Sequence, residues 1–233
     1  MKKVFAFVFA RGGSKGLPRK NVLPLGGIPL VAHSIEVAKQ LEGVDRIFVS
    51  TDDDEIKNIA REFGAEVIDR PEELARDNAP EIEAWRHAVS YLKDKGEDFD
   101  VFLSLPATSP LRDQSDVRAC LEALDDETDV VITVTPASRS PYFNMVSRDN
   151  DGRCRILMPS SGYVRRQDVP HAFDITTAAY AVKTEFILHH SNLFDGEVKS
   201  VVVPKERAVD IDDYWDYKFA EVLFGVKGND VER

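Results

Sequence analysis

The sequence predicts an α/β fold, a doubly wound mixed sheet interrupted by a hairpin-type insertion, and three observations carry that expectation. Residues 4–10 form an apolar run, VFAFVFA, that breaks straight into a basic, glycine-rich loop. Apolar runs then alternate with helical patterns as far as residue 137. Between 138 and 174 the alternation stops, and prolines with an Asn150-Asp151-Gly152 turn take its place.

The first run is hydrophobic at every position, as a strand covered on both faces must be, so it reads as a central parallel strand. Residues 30–41 place Leu30, Val31, Ser34, Ile35, Ala38 and Leu41 at helical spacing, and 44–51 (VDRIFVST) is a second strand, completing a βαβ unit. A helix over 52–63 follows through Ile56, Ile59, Ala60 and Phe63. Next come a short strand at 66–68, a helix over 79–92, a buried strand at 101–105, a helix near 115–124 and an apolar run at 129–135. Right-handed crossovers are expected between the parallel strands. Beyond the insertion, 176–183 and 199–204 read as strands, and 213–224 reads as a closing amphipathic helix through Tyr217, Ala220, Val222 and Leu223. Residues 1–137 and 175–233 are therefore expected to form one Rossmann-like unit. The inserted segment 138–174 has its own apolar residues, Tyr142, Phe143, Met145, Val146, Ile156, Leu157 and Met158. They are too few to bury one another, which predicts a dimerisation surface.

Composition narrows the function classes. A chain of 233 residues, 43% of them hydrophobic, can bury a full core. A net charge of −11 argues against nucleic acid as the main partner and makes the basic loop a local exception. No run of eighteen apolar residues exists, and Arg11 interrupts the N-terminal run too soon for a signal peptide, so no membrane partner and a cytoplasmic location are expected. Cys120 and Cys154 stand apart from any Cys or His at ligand spacing and read as ordinary thiols.

The loop after the first strand, Arg11-Gly12-Gly13-Ser14-Lys15-Gly16-Leu17-Pro18-Arg19-Lys20-Asn21, sits where ligands of open α/β sheets bind. Glycine lets backbone N–H groups approach phosphate oxygens, and Arg11, Lys15, Arg19 and Lys20 can neutralise a polyanion. Neither GxGxxG nor GxxxxGK[ST] can be read here, which disfavours a dehydrogenase or a P-loop ATPase. A plain basic surface turn is the alternative. Near the other end stands Asp210-Ile211-Asp212-Asp213. In extended chain Asp210 and Asp212 share a face while Ile211 turns inward, and two such carboxylates suit Mg2+, which completes its shell with water and phosphate oxygens. Asp212 or Asp213 is also expected to cap the last helix. A phosphate cradle with a carboxylate pair points to metal-assisted phosphoryl or nucleotidyl transfer.

These residues resemble the CMP-sialic acid (acylneuraminate) synthetases, a cytidylyltransferase family, through ARGGSKGLPRKN at 10–21, STDD at 50–53, RPEELARDNAP at 70–80, ATSPLR at 107–112, RRQDVP at 165–170 and DIDD at 210–213. The resemblance implies CTP and an acidic 2-keto-3-deoxy sugar as substrates, a CMP-sugar and pyrophosphate as products, Mg2+ as cofactor, and a homodimer with shared active sites. It implies catalytic roles for Lys15, Lys20, Asp210 and Asp212, and metal binding by the two aspartates. Nucleotide contacts are implied for Arg11, Gly12, Gly13, Ser14, Lys15, Lys20, Asn21, Arg70 and Ala79, the last two at the cytosine. Sugar contacts are implied for Thr108, Arg166, Thr176, Tyr180 and Phe194, with Arg166 reaching the neighbouring subunit's site.

Departures from the family pattern fall on the sugar side: Pro106-Ala107 where Gln-Pro is usual, Thr176-Thr177-Ala178 where Asn-Gly-Ala is common, and Phe143 at a position some members fill with lysine. They leave a different nonulosonate, or an eight-carbon octulosonate of the CMP-Kdo type, open as acceptor. Two further classes remain, a nucleotide-sugar glycosyltransferase and a non-catalytic nucleotide-binding module. The basic triphosphate loop disfavours the first, and the intact lysines and carboxylates disfavour the second. Trp85, His87 and Trp215 are expected to be packing or surface residues, and His171 a structural residue of the insertion.

Overall fold

The computed structural model describes residues 2–159, 162, 165 and 168–230. Strand β1 (Val4–Phe9) is followed by a two-residue hairpin, β2 (Pro24–Leu25) and β3 (Ile28–Pro29), and then by helix α1 (Leu30–Lys39). Alternation continues through β4 (Val44–Thr51), α2 (Asp54–Glu62), β5 (Glu66–Asp69), α3 (Glu81–Asp94), β6 (Val101–Ser104), α4 (Gln114–Ala123) and β7 (Val130–Pro136). A small hairpin, β8 (Val146–Arg148) with β9 (Cys154–Ile156), precedes the long β10 (Phe173–Lys183). The chain closes with α5 (Thr184–His189), β11 (Val198–Val202) and α6 (Tyr214–Asp230).

Seven strands make one mixed sheet in the order β11-β7-β10-β6-β1-β4-β5. All pairings are parallel except those of β10, which runs antiparallel between β6 and β7. Strand β1 lies inside the sheet, as its unbroken hydrophobicity requires. Its odd residues enter an aromatic layer in which Phe7 stacks on Phe102 at 4.3 Å between centroids and Trp85 of α3 lies 5.1 Å from the same ring. Its even residues face α1 and α4 through Ala6, Leu103, Ala38, Val117 and Cys120. Each fully buried phenylalanine contributes roughly 1.5–3 kcal/mol, so two covered faces fix the strand firmly. Among the described residues no helix is long and apolar enough to cross a membrane.

Local signals set the helix starts that matter for the site. Asp53 caps α2 by accepting from Ile56 N–H at 3.0 Å. Asp113 and Asp116 form a reciprocal capping box on α4. Buried Asp116 also takes a two-pronged ion pair from Arg207, at 2.9 and 2.8 Å, which ties the turn leading to Asp210 against α4.

Several expectations change. Pairing of β7 with β10 runs outward to Pro136 and Phe173, so the excursion from the sheet spans residues 137–172. Within it the Asn150-Asp151-Gly152 turn does close a hairpin, with Gly152 at φ +86°. Helix α5 and the β2–β3 hairpin were not foreseen. In α6, Tyr217, Ala220 and Leu223 pack inward as expected, but Val222 is 64% exposed.

Candidate active site

Strands β1 and β6 end at a cleft of about 550 Å³, as a parallel sheet positions its ligands. Arg11, Ser14, Lys15, Lys20, Asn21, Arg70, Ala79, Thr108 and Asp212 all line it, so residues far apart in sequence meet there. Asn21, 5% exposed, holds the loop by donating from Nδ2 to the Arg11 carbonyl at 3.0 Å, while its Oδ1 is buried with no partner. Arg11 pairs with Asp77 at 2.7 Å, and Lys15 pairs with the same carboxylate. Lys20 reaches the other way: its Nζ donates to the Ile211 carbonyl at 2.7 Å and to Asp212 Oδ1 at 2.9 Å.

The glycines serve tight packing more than open approach. The Gly12 N–H donates to Asp52 Oδ1 at 3.0 Å, and a Cβ there would stand 2.6 Å from Asp53 Oδ2. Gly13 faces open space and, like Gly12, is absent from the cleft wall. Gly16 does line the cleft, and a Cβ on it would fall 2.3 Å from the Asp212 carbonyl oxygen. Arg19 departs from its expected role. It adopts φ +59° and pairs with Asp53 and Glu55 at the start of α2, holding the Asp53 carboxyl below the usual range.

At the opposite end Arg70 donates from Nη2 to the Ser50 carbonyl at 2.6 Å and from Nε to Ser50 Oγ at 3.2 Å, its guanidinium 5.2 Å from the Phe9 ring centroid. Burial pushes its pKa down to about 10. Glu81 lies on the same wall and is exposed along the cleft, yet protein surrounds it closely enough that desolvation raises its pKa.

Asp210 follows the Arg207 turn. Burial raises its pKa, Thr108 acts against that rise, and Asp212 adds to it. Its Oδ1 is buried with no hydrogen-bond partner. Ile211 is fully buried and its N–H donates to the Thr108 carbonyl at 2.8 Å; of the flanking aspartates, Asp212 is exposed and lines the cleft, whereas Asp210 is half-buried and is not among the residues of the cleft wall. Asp213 is the helix cap, accepting from Trp215 N–H at 2.7 Å and Asp216 N–H at 3.0 Å, so the capping role does not fall to Asp212. No group of three or more His, Cys, Asp or Glu side chains gathers as a metal cage among the described residues. Magnesium does not need one, since it keeps waters and takes phosphate oxygens. The orphaned oxygen of Asp210 beside Asp212 fits such an ion.

A family model described as Cytidylyltransferase matches residues 5–209. The chain belongs to the cytidylyltransferase family. It is 33% identical over 233 residues to the post-translational flagellin modification protein B of Campylobacter coli, covering 97% of both chains. It is 30% identical over 231 residues to the CMP-N,N'-diacetyllegionaminic acid synthase of Campylobacter jejuni, again covering 97% of each. The N-acylneuraminate cytidylyltransferase of Escherichia coli is 31% identical over 220 residues, which are 94% of this chain and 51% of that protein. Among solved structures, a CMP:2-keto-3-deoxy-manno-octonic acid synthetase complexed with CTP superposes with a TM-score of 0.70 at 19% identity, covering 97% of this chain and 99% of that one. At that identity the likeness establishes the fold.

In this cytidylyltransferase the expected sugar-side residues are the ones that move. Strand β10 carries a bulge between Thr176 and Tyr180. Thr176 is swallowed by it, 5% exposed, and donates to Thr133 Oγ1 at 2.7 Å, while Thr133 Oγ1 also accepts from the Ala179 N–H at 3.2 Å. The bulge re-aims its neighbour: Thr177 lines the cleft and lies 2.5 Å from Ser109 Oγ. Tyr180 is 8% exposed and belongs to the aromatic core, 5.6 Å from Trp85. Phe194 is 60% exposed on the turn Leu193–Asp195, away from the cleft wall. Arg166 lies outside the described residues. Sequence reasoning missed Phe9, Gly16, Asp77, Glu81 and Thr177 on the wall. Of these, Gly16 stood in the basic loop and Asp77 in the RPEELARDNAP motif, so both were within reach.

Proposed function

We propose that this cytidylyltransferase transfers CMP from CTP to the anomeric hydroxyl of a sialic-acid-like 2-keto-3-deoxy acid sugar, releasing pyrophosphate, and that it works in the cytoplasm as a Mg2+-dependent homodimer. The observation that carries this reading is one cleft lined by a basic, glycine-rich loop, a desolvated arginine suited to a pyrimidine and the Asp212 carboxylate. Arg70 supplies donors to the ring acceptors of cytosine. Arg11, Lys15 and Ser14 take the triphosphate, and their positive charge offsets the charge that grows on departing pyrophosphate. Lys20, held between the Ile211 carbonyl and Asp212, links the basic loop to the carboxylate segment. Asp210 and Asp212 are the residues that would hold Mg2+, which would offset phosphate charge and lower the pKa of the attacking hydroxyl.

Pro106, Ala107, Thr108 and Thr177 line the cleft, and this reading gives them to the acceptor. The usual glutamine amide is missing there, and the relatives include a legionaminic acid synthase, so the favoured acceptor is a nonulosonate other than N-acetylneuraminate. The test is pyrophosphate release from CTP and Mg2+ with a panel of purified nonulosonic and octulosonic acids. The rate should be highest with CTP, should need a divalent cation, and should fall roughly 10²-fold in Lys15→Ala. Equal rates with UTP or ATP, or full activity in excess chelator, overturn the nucleotide assignment. A kcat/KM highest for N-acetylneuraminate overturns the acceptor.

A further inference from the structure

Asp77 is an acid in a place where only cations were expected. It lies on the cleft wall, and its two carboxylate oxygens take separate partners, Oδ1 from Arg11 at 2.7 Å and Oδ2 from Lys15. Arg11 is fastened to the same turn a second time, donating from Nη1 to the Ala75 carbonyl at 3.3 Å. The two cations that the proposed function gives to the triphosphate thus already share one carboxylate of the chain itself, which offsets about half of their charge. Lys15, and then Arg11, hold the Asp77 carboxyl below its ordinary range, so it stays ionised at neutral pH.

Charge and exposure decide what this carboxylate can do. Lys15 is 83% exposed at its side chain and Asp77 39%, and ion pairs so open to water are weak and readily exchanged. A polyphosphate carries more charge than one carboxylate and offers more oxygens, so it wins both cations, but it must displace Asp77 and then tolerate a like charge beside it. We propose that Asp77 is an internal counter-anion of the phosphate loop. It keeps Arg11 and Lys15 converged on one point and competes with pyrophosphate for them, so that this product is held less tightly than the bare cations would hold it. The inference rests on the reading that the loop binds the triphosphate.

The experiment is calorimetric titration of inorganic pyrophosphate, in Mg2+ buffer, into wild type, Asp77→Asn, Asp77→Glu and Lys15→Ala, together with pyrophosphate inhibition of turnover in the first three. Asp77→Asn should bind pyrophosphate about fivefold more tightly or better. Its inhibition constant should fall in step, and the gain should shrink as salt is raised. Asp77→Glu, which keeps the charge, should stay near wild type. Pyrophosphate bound equally or more weakly by Asp77→Asn, at unchanged Lys15 dependence, overturns the counter-anion and leaves the site intact. If Lys15→Ala binds pyrophosphate as well as wild type does, the placement of the phosphates falls, and this inference with it.

Discussion

Asp210 places a carboxyl in surroundings that disfavour its charged form. Its carboxyl is partly buried, one oxygen has no partner, and its pKa is raised chiefly by that burial. A raised carboxylate pKa means that ionisation opposes folding, so the handicap is absent below the ordinary aspartate range and complete once pH has risen through the folded pKa. Asp210→Asn keeps the shape and removes the charge. It should raise the melting temperature at pH 7 to 8 by about 2–4 °C, for a gain on the order of 1 kcal/mol, and should leave it unchanged near pH 3. Turnover should fall roughly 10²-fold in the same variant. A variant no more stable at pH 8 than wild type would show that Asp210 is not strained by its site. Side-chain type and spacing were enough to single out Lys15, in a glycine-rich loop, and Asp212, in an extended segment, and both line the cleft; Asp210, two residues away, does not. Thr177 was not legible, because alternation along β10 fails at the bulge and hands the cleft to the next residue. Asp77 stood in the RPEELARDNAP motif and was passed over because a polyanion site suggests cations, not a carboxylate.

Two segments some 190 residues apart behave as one piece of the site. The loop at 11–21 and the extended stretch at 210–213 meet through Lys20, which grips the Ile211 carbonyl and Asp212, and through Gly16, whose bare Cα lets the Asp212 carbonyl come close. A methyl on Gly16 would sit 2.3 Å from that backbone oxygen, which no side-chain rotation can relieve. The φ of Gly16 is not of the left-handed kind, so Gly16→Ala strains contact and not the loop's own backbone. Turnover should therefore drop on the order of 10²-fold, as displacements near 1 Å do elsewhere, with melting changed by only a few degrees. A Gly16→Ala enzyme with wild-type kcat would separate the two segments functionally. At this scale the long periodic elements could be read from the chain, since α1, α2, α3 and α4 each bury an apolar stripe. Helix α5 could not be, because its six residues hold Phe186, Ile187 and Leu188 in succession and show no period. The β2–β3 hairpin had a signal that went unused: Gly26 and Gly27, at φ +57° and +91°, are what a two-residue hairpin turn requires.

The order of strands in the sheet was beyond the sequence, since periodicity tells which face is covered and says nothing of which strand lies alongside, and β10 takes its antiparallel place between β6 and β7 through contacts distant in the chain. What the sequence did indicate is an excursion that cannot bury its own apolar residues. Met145, Val146, Ile156, Leu157 and Met158 are 38–52% exposed, and Phe173 and Ile175 continue the patch onto the outer end of β10. A second apolar stripe runs along α6 through Trp215, Phe219, Val222 and Val226, so exposure alone does not choose the interface. The insertion is the better candidate because every residue of its small hairpin, in which Val146 pairs with Ile156, is exposed, whereas α6 is anchored on the sheet domain through Tyr217, Ala220 and Leu223. The proposed homodimer then predicts that Ile156→Asp lowers the mass measured by light scattering at micromolar concentration from two chains to one and reduces turnover, while Phe219→Asp leaves both as they were. If Arg166 serves the neighbouring subunit's site, mixing Arg166→Ala with Lys15→Ala should restore activity, because each heterodimer holds one site with both residues intact. A wild-type monomer, a dimer broken by Phe219→Asp instead, or no recovery after demonstrated subunit exchange would reject a shared site built on the insertion.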